Sequence, residues 1–299
     1  MASLQPLGWG GAIVIRSLTL VCLLVSSVRV SAEPVHQPVG KWVVDYDEAQ
    51  CLASAEYGTD KEPLTLILKP SPLDGVMRVV VMRSRFAEVH EFPAKVQFDT
   101  ARPVQVSGLS YSDDVTHRGL ISINMPMASF RAGQQSQVMT ISGGLNHYKF
   151  AVPQLPQVLA ALDKCVDDLQ QYWNIGKIPP KIVSEAVPQQ PLNRLFSPGD
   201  YPSSALYKQE YGAVRVVFLV NEQGKVSDCS VEVTSGVPAL DLMSCYVLQS
   251  RATFSPAEAP DGKPIRSGYC QDIRWILSTV PQKPPADPRC PSHPWPSIK

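Results

Sequence analysis

The sequence carries no excess of charge of either sign. Lysine and arginine together number 27, and aspartate and glutamate also number 27, so the formal net charge at neutral pH is zero. Proteins that bind nucleic acid or an anionic lipid surface usually carry a clustered basic excess. We therefore expect neither of these as the partner.

The sequence also lacks the catalytic and cofactor motifs that can be recognised in a single chain. It contains no Gly-x-Ser-x-Gly, His-Glu-x-x-His or Gly-x-Gly-x-x-Gly pattern and no phosphate-binding loop. It has no Cys-x-x-Cys pair, and its five histidines are scattered, so no metal-ligand spacing is present. We interpret the paired acids and two isolated histidines as surface groups: Asp45, Asp47, Asp113, Asp114, Asp167, Asp168, His117 and His147. The sequence therefore predicts a protein that is not an enzyme and that holds no cofactor or metal.

No uninterrupted apolar run is long enough to cross a bilayer as a helix. The longest candidate, residues 17–28, is shorter than the roughly 20 residues that a span requires. Arg16 precedes this run, and small residues follow it at Ser31 and Ala32. This arrangement predicts a cleavable signal peptide over residues 1–32, a periplasmic location, and no integral membrane span after cleavage. The alternative is an uncleaved inner-membrane anchor that begins at Ala12 and leaves the rest of the chain facing the periplasm.

Six cysteines remain after residue 32, and an even number in an exported chain indicates disulfides. They are Cys51, Cys165, Cys229, Cys245, Cys270 and Cys290. A Cys51–Cys165 bond would join the beginning of the first domain to its end. The other four cysteines allow three connectivities. Pairing Cys229 with Cys245 and Cys270 with Cys290 is one of them, and spacing alone does not choose.

Residues 33–174 are predicted to form one β-rich domain with a closing helix. Turn signals such as Asp74-Gly75 and Gly143-Gly144 separate short runs of β-forming residues. The predicted strands are 42–46, 64–68, 76–82, 96–98, 120–124, 138–141 and 147–152. Over residues 155–169, apolar side chains recur at helical spacing, which predicts an amphipathic helix.

Two proline-bearing segments flank the second predicted domain. Residues 175–198 are predicted to be a linker, and residues 280–299 a Pro-rich tail. Between them, residues 199–279 are predicted to form two strands, a helix and a third strand. The strands are 213–220, 226–233 and 269–277, and the helix begins near Pro238. The predicted fold class is therefore α+β, with a β-rich N-terminal domain and a small β-β-α-β C-terminal domain.

An ordered series of short motifs in this second domain resembles the C-terminal domain of the TonB energy-transducer family. The series is Tyr201-Pro202, Gly212-Ala213-Val214-Arg215-Val216, Gly224-Lys225-Val226, Ser235-Gly236, Leu240-Asp241, Phe254-Ser255-Pro256-Ala257, Asp261-Gly262-Lys263-Pro264 and Ile273-Arg274-Trp275-Ile276. The resemblance implies a domain that binds an envelope protein or peptide. In that family a partner strand is added to an exposed sheet edge. The last predicted strand supplies the candidate edge, with Tyr269, Gln271, Ile273 and Trp275 as its site residues.

The chain departs from TonB proper in two ways that bear on function. The apolar N-terminal segment contains no histidine, and a folded domain stands where TonB has a long Pro/Glu/Lys-rich spacer. The departures favour a periplasmic TonB-like binding module over a divergent energy transducer that is anchored by an uncleaved N-terminal segment. The first domain resembles, more loosely, β-rich periplasmic domains of alphaproteobacteria, to which no defined activity attaches. The residues that carry this second resemblance are Trp42, Tyr46, Cys51, 127–133 and 159–165.

Overall fold

The computed structural model describes residues 34–48, 50–112, 117–175 and 181–277. The predicted signal peptide, Asp113, Asp114, Cys290 and the Pro-rich tail lie outside these residues. The described residues from Pro34 onward form one compact unit. Within it we call residues 34–175 the N-terminal module and residues 181–277 the C-terminal module.

The N-terminal module is built on a nine-stranded antiparallel sheet. Its strands are β1 (Val43–Tyr46), β2 (Cys51–Thr59), β3 (Glu62–Pro70), β4 (Val76–Arg83), β5 (His90–Phe98), β6 (Val104–Ser112), β7 (Gly119–Pro126), β8 (Val138–Gly143) and β9 (Asn146–Ala151). The strand order is β1-β2-β3-β4-β7-β6-β5-β8-β9. A short helix, α1 (Met127–Ala132), follows β7 directly.

One face of this sheet is packed into a core, and the other face is more polar. Along β4, Met77, Val79 and Val81 are fully buried, while Arg78 between them is only partly buried. Successive side chains of a strand point to opposite faces, so this alternation defines an inner and an outer face of the sheet. Residues 234–242 of the C-terminal module lie against the outer face, beside Arg78, Ser122 and Asn124.

Helix α2 (Leu155–Tyr172) closes the inner face of the sheet. The apolar stripe predicted at helical spacing is buried along its whole length, which confirms the helix and its orientation. A disulfide joins Cys165 on α2 to Cys51 on β2, with their Cα atoms 5.9 Å apart. The end of the N-terminal module is thereby linked covalently to its beginning.

The C-terminal module is a three-stranded antiparallel sheet covered by one helix. Its elements are β10 (Val187–Pro188), α3 (Ser203–Tyr207), β11 (Gly212–Val220), β12 (Val226–Val233), α4 (Pro238–Arg251), β13 (Phe254–Ser255), β14 (Ala257–Glu258), β15 (Pro264–Ile265) and β16 (Ser267–Trp275), with 3-10 turns at Leu192–Leu195 and Pro198–Asp200. The main sheet has the order β12-β11-β16. The α+β fold class inferred from the sequence is confirmed.

The C-terminal module has a core of its own between this sheet and α4. A disulfide from Cys229 on β12 to Cys245 on α4 connects the two layers, with Cα atoms 5.6 Å apart. The described part of the segment predicted as a linker also contacts this core. There β10 pairs with β13, and Leu192 and Leu195 are buried.

The two cores meet across the sheet of the C-terminal module. Val216, Phe218 and Val220 of β11 face α4, whereas Val217 and Leu219 belong to the core of the N-terminal module. Strand β11 therefore contributes side chains to both cores, and burying them on both faces stabilises the contact between the modules.

Candidate functional site

Strand β16 forms one edge of the three-stranded sheet within the described residues. It pairs with β11 without a register break, from Trp275 opposite Gly212 to Ser267 opposite Val220. Strand β12 pairs with the other side of β11. The outer side of β16 is therefore the sheet edge that the sequence analysis selected.

Three of the side chains named from the sequence, those of Tyr269, Ile273 and Trp275, face the core between the sheet and α4. Trp275 donates from its indole Nε1 to Ser244 Oγ of α4 over 2.9 Å. Tyr269 stacks on Phe218, with ring centroids 5.3 Å apart, and Ile273 is buried in the same core. These aromatic and aliphatic contacts hold β16 in place.

The edge itself consists of the backbone groups of the intervening residues. Gly268 donates its N–H to the carbonyl of Trp173, which does not belong to β11, so Gly268 directs its backbone outward. In a regular antiparallel strand both polar groups of every second residue point to the same side. Cys270, Asp272 and Arg274 therefore also direct their N–H and C=O groups outward. The Gln271 side chain donates to the outward carbonyl of Asp272 over 2.7 Å.

The beginning of this edge is covered by the end of the N-terminal module. Besides the bond from Gly268 to Trp173, Asn174 donates from Nδ2 to the carbonyl of Arg266 over 2.8 Å. A Cβ atom at Gly268 would lie 2.4 Å from a methyl carbon of Ile175, so only glycine fits this approach. From residue 270 to residue 274, no strand among the described residues pairs with this edge.

The face of β16 turned away from α4 carries a paired charge and a disulfide. Arg215 of β11 donates to Asp272 through Nε and Nη2, over 2.7 and 3.0 Å. This bidentate ion pair lies across the two strands and fixes their register. Cys270 is disulfide-bonded, and the cysteines outside the two bonds above, Cys22 and Cys290, lie outside the described residues.

The opposite edge of the sheet, β12, is met by the turn between β3 and β4. The carboxylate of Glu232 accepts hydrogen bonds from Ser71 Oγ at 2.8 Å and from the N–H groups of Leu73 at 2.9 Å and Gly75 at 3.1 Å. A Cβ atom at Gly75 would lie 2.2 Å from the Glu232 carbonyl oxygen. The turn thus occupies this side of β12 at Glu232.

Glu232 is a buried acid whose protonation depends on this environment. Its side chain is 4% exposed, and desolvation raises its pKa from the ordinary value of 4.5 to about 7, although the three donors act in the opposite direction. Burial disfavours the charged form more strongly than these hydrogen bonds favour it. Burial also raises the pKa of Asp228 on the same strand and lowers the pKa of Lys69 on β3.

The helix α4 begins against a carboxylate from the N-terminal module. Glu91 of β5 accepts the N–H of Ala239 over 2.6 Å through Oε1, and its Oε2 pairs with Lys208 at 3.0 Å. The first N–H groups of a helix have no partner within the helix, and the positive end of the helix dipole favours an anion. Glu91 therefore stabilises α4 from outside its own module.

The acids and histidines considered in the sequence analysis are spread over the surface. Asp45, Asp47, Asp167, Asp168, His117 and His147 are all exposed, in different elements and loops. Among the described residues no group of three or more His, Cys, Asp or Glu side chains is arranged to hold a metal ion.

The comparison with known families bears on residues 198–277. These residues match the family model described as Gram-negative bacterial TonB protein C-terminal. The chain carries a TonB C-terminal domain. The match spans α3, β11, β12, α4 and β16, so the edge strand belongs to the TonB domain, and the domain indicates a protein of the cell envelope. No curated protein matches the chain.

The part of the chain that the structure describes contains no helix long and apolar enough to cross a membrane. The edge contacts described above lie within the TonB domain and at its junction with the N-terminal module.

Sequence reasoning selected the edge strand of the TonB domain but missed the residues that hold it against the N-terminal module. Glu91, Glu232 and Trp173 are the principal ones. One signal was present for Glu232, because a charged residue between Val231 and Val233 breaks an otherwise apolar strand end. Its partners in the β3–β4 turn are about 160 residues away along the chain, and no local pattern indicates them.

Proposed function

We propose that this protein is a periplasmic TonB-like binding module that accepts an extended segment of an envelope protein or peptide on the outer edge of β16. The observation that carries the proposal is the row of outward backbone groups at Cys270, Asp272 and Arg274, beside which no further strand lies in the described residues. Backbone groups of an edge strand readily pair with an added strand.

The surroundings of the edge support this proposal. Core contacts of Tyr269, Ile273 and Trp275 hold β16 in an extended conformation before any partner arrives. A partner therefore meets a preorganised edge, which lowers the entropic cost of binding. The β3–β4 turn occupies the other edge of the sheet at Glu232, so a strand added along β12 would meet this turn.

The proposal assigns the two predicted domains different roles. The TonB domain, predicted over residues 199–279, supplies the edge, and the N-terminal domain, predicted over residues 33–174, positions it through the contact of Gly268 with Trp173. Binding, and not catalysis, is the proposed activity. Cleavage of residues 1–32 would release the mature protein into the periplasm.

The test is a pull-down from solubilised envelopes with Arg274→Pro and Arg274→Ala. Arg274 is exposed, and its N–H points away from β11, so proline removes one edge donor without breaking the existing ladder. Alanine removes the same side chain and keeps the donor. We expect the natural protein and Arg274→Ala to recover a common partner, and Arg274→Pro to lose most of it.

Thermal melting of each variant accompanies this comparison. An unchanged melting temperature for Arg274→Pro shows that the sheet is intact and that the loss belongs to the edge. Equal recovery of the partner by Arg274→Pro and Arg274→Ala would show that binding does not use this edge.

A further inference from the structure

A cavity separate from the β16 edge lies where the two modules meet. It has a volume of about 370 Å³, and its walls come from β4, β6 and β7 on one side and from residues 234–242 on the other. Ligand sites occur preferentially at such junctions, and this volume is near the small end of their usual range. The cavity is large enough for a ligand of the size of a dipeptide.

The polar wall of the cavity contains a connected set of three side chains. Arg78 donates from Nε to Asn124 Oδ1 over 3.2 Å, and the Asn124 side chain also hydrogen-bonds Asp241. The three residues come from β4, β7 and α4, so both modules build this wall. The bond to Asn124 orients the Arg78 guanidinium from its Nε side.

Asp241, the acid of this set, already accepts as many hydrogen bonds as its carboxylate can hold. Asp241 is 3% exposed, and its carboxylate accepts from Thr234 Oγ1 at 2.5 Å, Ser235 N–H at 2.8 Å and Ser235 Oγ at 2.7 Å. With the bond from Asn124, four donors surround its two oxygens, which is about as many as a carboxylate accommodates. Asp241 is therefore a structural acid and does not compete for the groups of a ligand.

Arg78, the basic residue of this set, can donate further hydrogen bonds. A guanidinium has five N–H donors, and within the described residues the only protein hydrogen bond from Arg78 leaves from Nε. Two other charged groups act on Arg78. Lys69 is positive and Asp228 is negative, so their effects on Arg78 oppose each other. Among the charged groups that line the cavity, Arg78 thus has N–H donors left for a ligand. They are on its two terminal nitrogens, whose geometry suits a carboxylate.

The remaining walls combine apolar surface with small polar groups. Leu109, Pro238 and Leu242 provide apolar contacts, while Ser107 and Ser122 provide hydroxyls. A hydroxyl both donates and accepts, which suits the alternating N–H and C=O groups of a peptide. A ligand that fits has a carboxylate at one end and an apolar body beside it.

We propose that this cavity binds the terminal carboxylate of a short apolar peptide, with Arg78 as the carboxylate ligand and the wall of Leu109, Pro238 and Leu242 around the adjacent side chain. The site goes beyond the proposed function, since it uses neither the edge of β16 nor its backbone. The same chemistry is presented by a free short peptide and by the C-terminus of a partner protein.

The test is isothermal titration calorimetry of the full chain with N-acetyl-leucyl-leucine and with its carboxamide. A hydrogen bond to a charged group contributes about 1.5–3 kcal/mol, so we expect the carboxylate to bind roughly 10- to 100-fold more tightly than the carboxamide. A longer peptide that ends in the same two residues distinguishes the two sources of the carboxylate, a free short peptide and the C-terminus of a protein. Binding of both peptides indicates that a protein C-terminus is accepted, and binding of the short one alone indicates a free peptide.

Two variants and one control locate the binding. Arg78→Gln is expected to abolish the preference for the carboxylate, whereas Arg102→Gln, at an exposed arginine outside the cavity, leaves it unchanged. Ser122→Leu keeps Arg78 but fills the cavity, so it is expected to abolish binding of the carboxylate probe. Melting curves verify that each variant is folded, and Ser122→Leu decides the test if Arg78→Gln does not fold.

Three results would overturn the proposal. They are no binding of the carboxylate probe, equal binding of carboxylate and carboxamide, and binding that is unaffected in a folded Arg78→Gln or Ser122→Leu protein. Because Arg274→Pro leaves the cavity untouched, loss of the strand-edge function and loss of this site are measured independently.

Discussion

Glu232 shows how one side chain can connect two modules and make their contact sensitive to pH. Its carboxylate satisfies Ser71 and two backbone N–H groups of the β3–β4 turn, yet burial keeps its pKa at about 7. An acid whose pKa is higher in the folded than in the unfolded protein favours folding most when it is protonated. Its contribution to the free energy of unfolding therefore falls as the pH rises from about 4.5 to about 7.

Glu232→Gln should flatten this pH dependence. In the natural protein, ionisation of Glu232 across this pH range lowers the free energy of unfolding by an amount on the order of 3 kcal/mol. Glutamine does not titrate, so the variant should not show this loss. The measurement is the free energy of unfolding from denaturant titrations at a series of pH values. Glu88→Gln, at an exposed acid, serves as the control and should retain the natural slope. A slope for Glu232→Gln equal to that of the natural protein would contradict the assignment.

At the scale of elements, helix α4 depends on a residue outside its own module. Its N-cap residue, Val237, makes no side-chain capping bond, and Glu91 of β5 accepts the N–H of Ala239 instead. The N–H of Ala239 is thus satisfied only when the modules are in contact. This dependence makes α4 a sensitive reporter of the contact.

Glu91→Ala should lower stability by about 1–2 kcal/mol, since it removes a helix-capping acceptor and the pair with Lys208. The loss is measured as a shift of the denaturant midpoint. Glu88→Ala, three residues earlier and exposed, should change the midpoint little. Similar midpoints for the two variants would show that Glu91 does not cap the helix in solution.

Two strands also show where local patterns are weak. No strand was predicted at β2 or β6, whose sequences CLASAEYGT and VQVSGLSYS are rich in small residues with little β propensity. In β2 these small residues are an adaptation to packing, since Ala53 and Ala55 are fully buried against the core. In β6 a Cβ atom at Gly108 would lie 2.6 Å from the ring of Phe92, so glycine leaves room for this ring in its observed position.

For the whole molecule, the two disulfides that lie entirely within the described residues constrain chain loops of very different length. Cys51–Cys165 spans 114 residues and Cys229–Cys245 spans 16. In the chain-entropy account a longer loop restricts the unfolded chain more. Disulfides persist in oxidising compartments, which agrees with the location proposed for the mature protein.

Replacing Cys51 and Cys165 by serine should therefore destabilise the protein more than replacing Cys229 and Cys245. The chain-entropy account gives about 4–5 kcal/mol for the longer loop and about 3 kcal/mol for the shorter. Denaturant titrations under oxidising conditions measure both losses. Under reducing conditions neither protein has its disulfides, so most of the difference should vanish. A larger loss for the Cys229/Cys245 pair would show that native packing, and not loop length, determines the contributions.

The sequence by itself determined the local elements and the family of the second domain. Helical spacing over residues 155–169 predicted α2, and the ordered motifs around Gly212, Gly224 and Ser235 identified the TonB C-terminal domain that the family match confirms. These features depend on neighbours within one element or one turn, so a pattern of periodicity and turn residues is sufficient to indicate them.

Only the tertiary structure decided what surrounds that domain. The outward backbone of Cys270, Asp272 and Arg274 became visible through the bond from Gly268 to Trp173, and the cavity beside Arg78 exists because distant strands and a helix meet there. Such contacts join residues far apart in the chain, and their energies come from burial and from donors that a linear pattern does not contain. The fold of the domain and its edge strand were therefore predictable, whereas the contacts that position this strand and the neighbouring cavity were not.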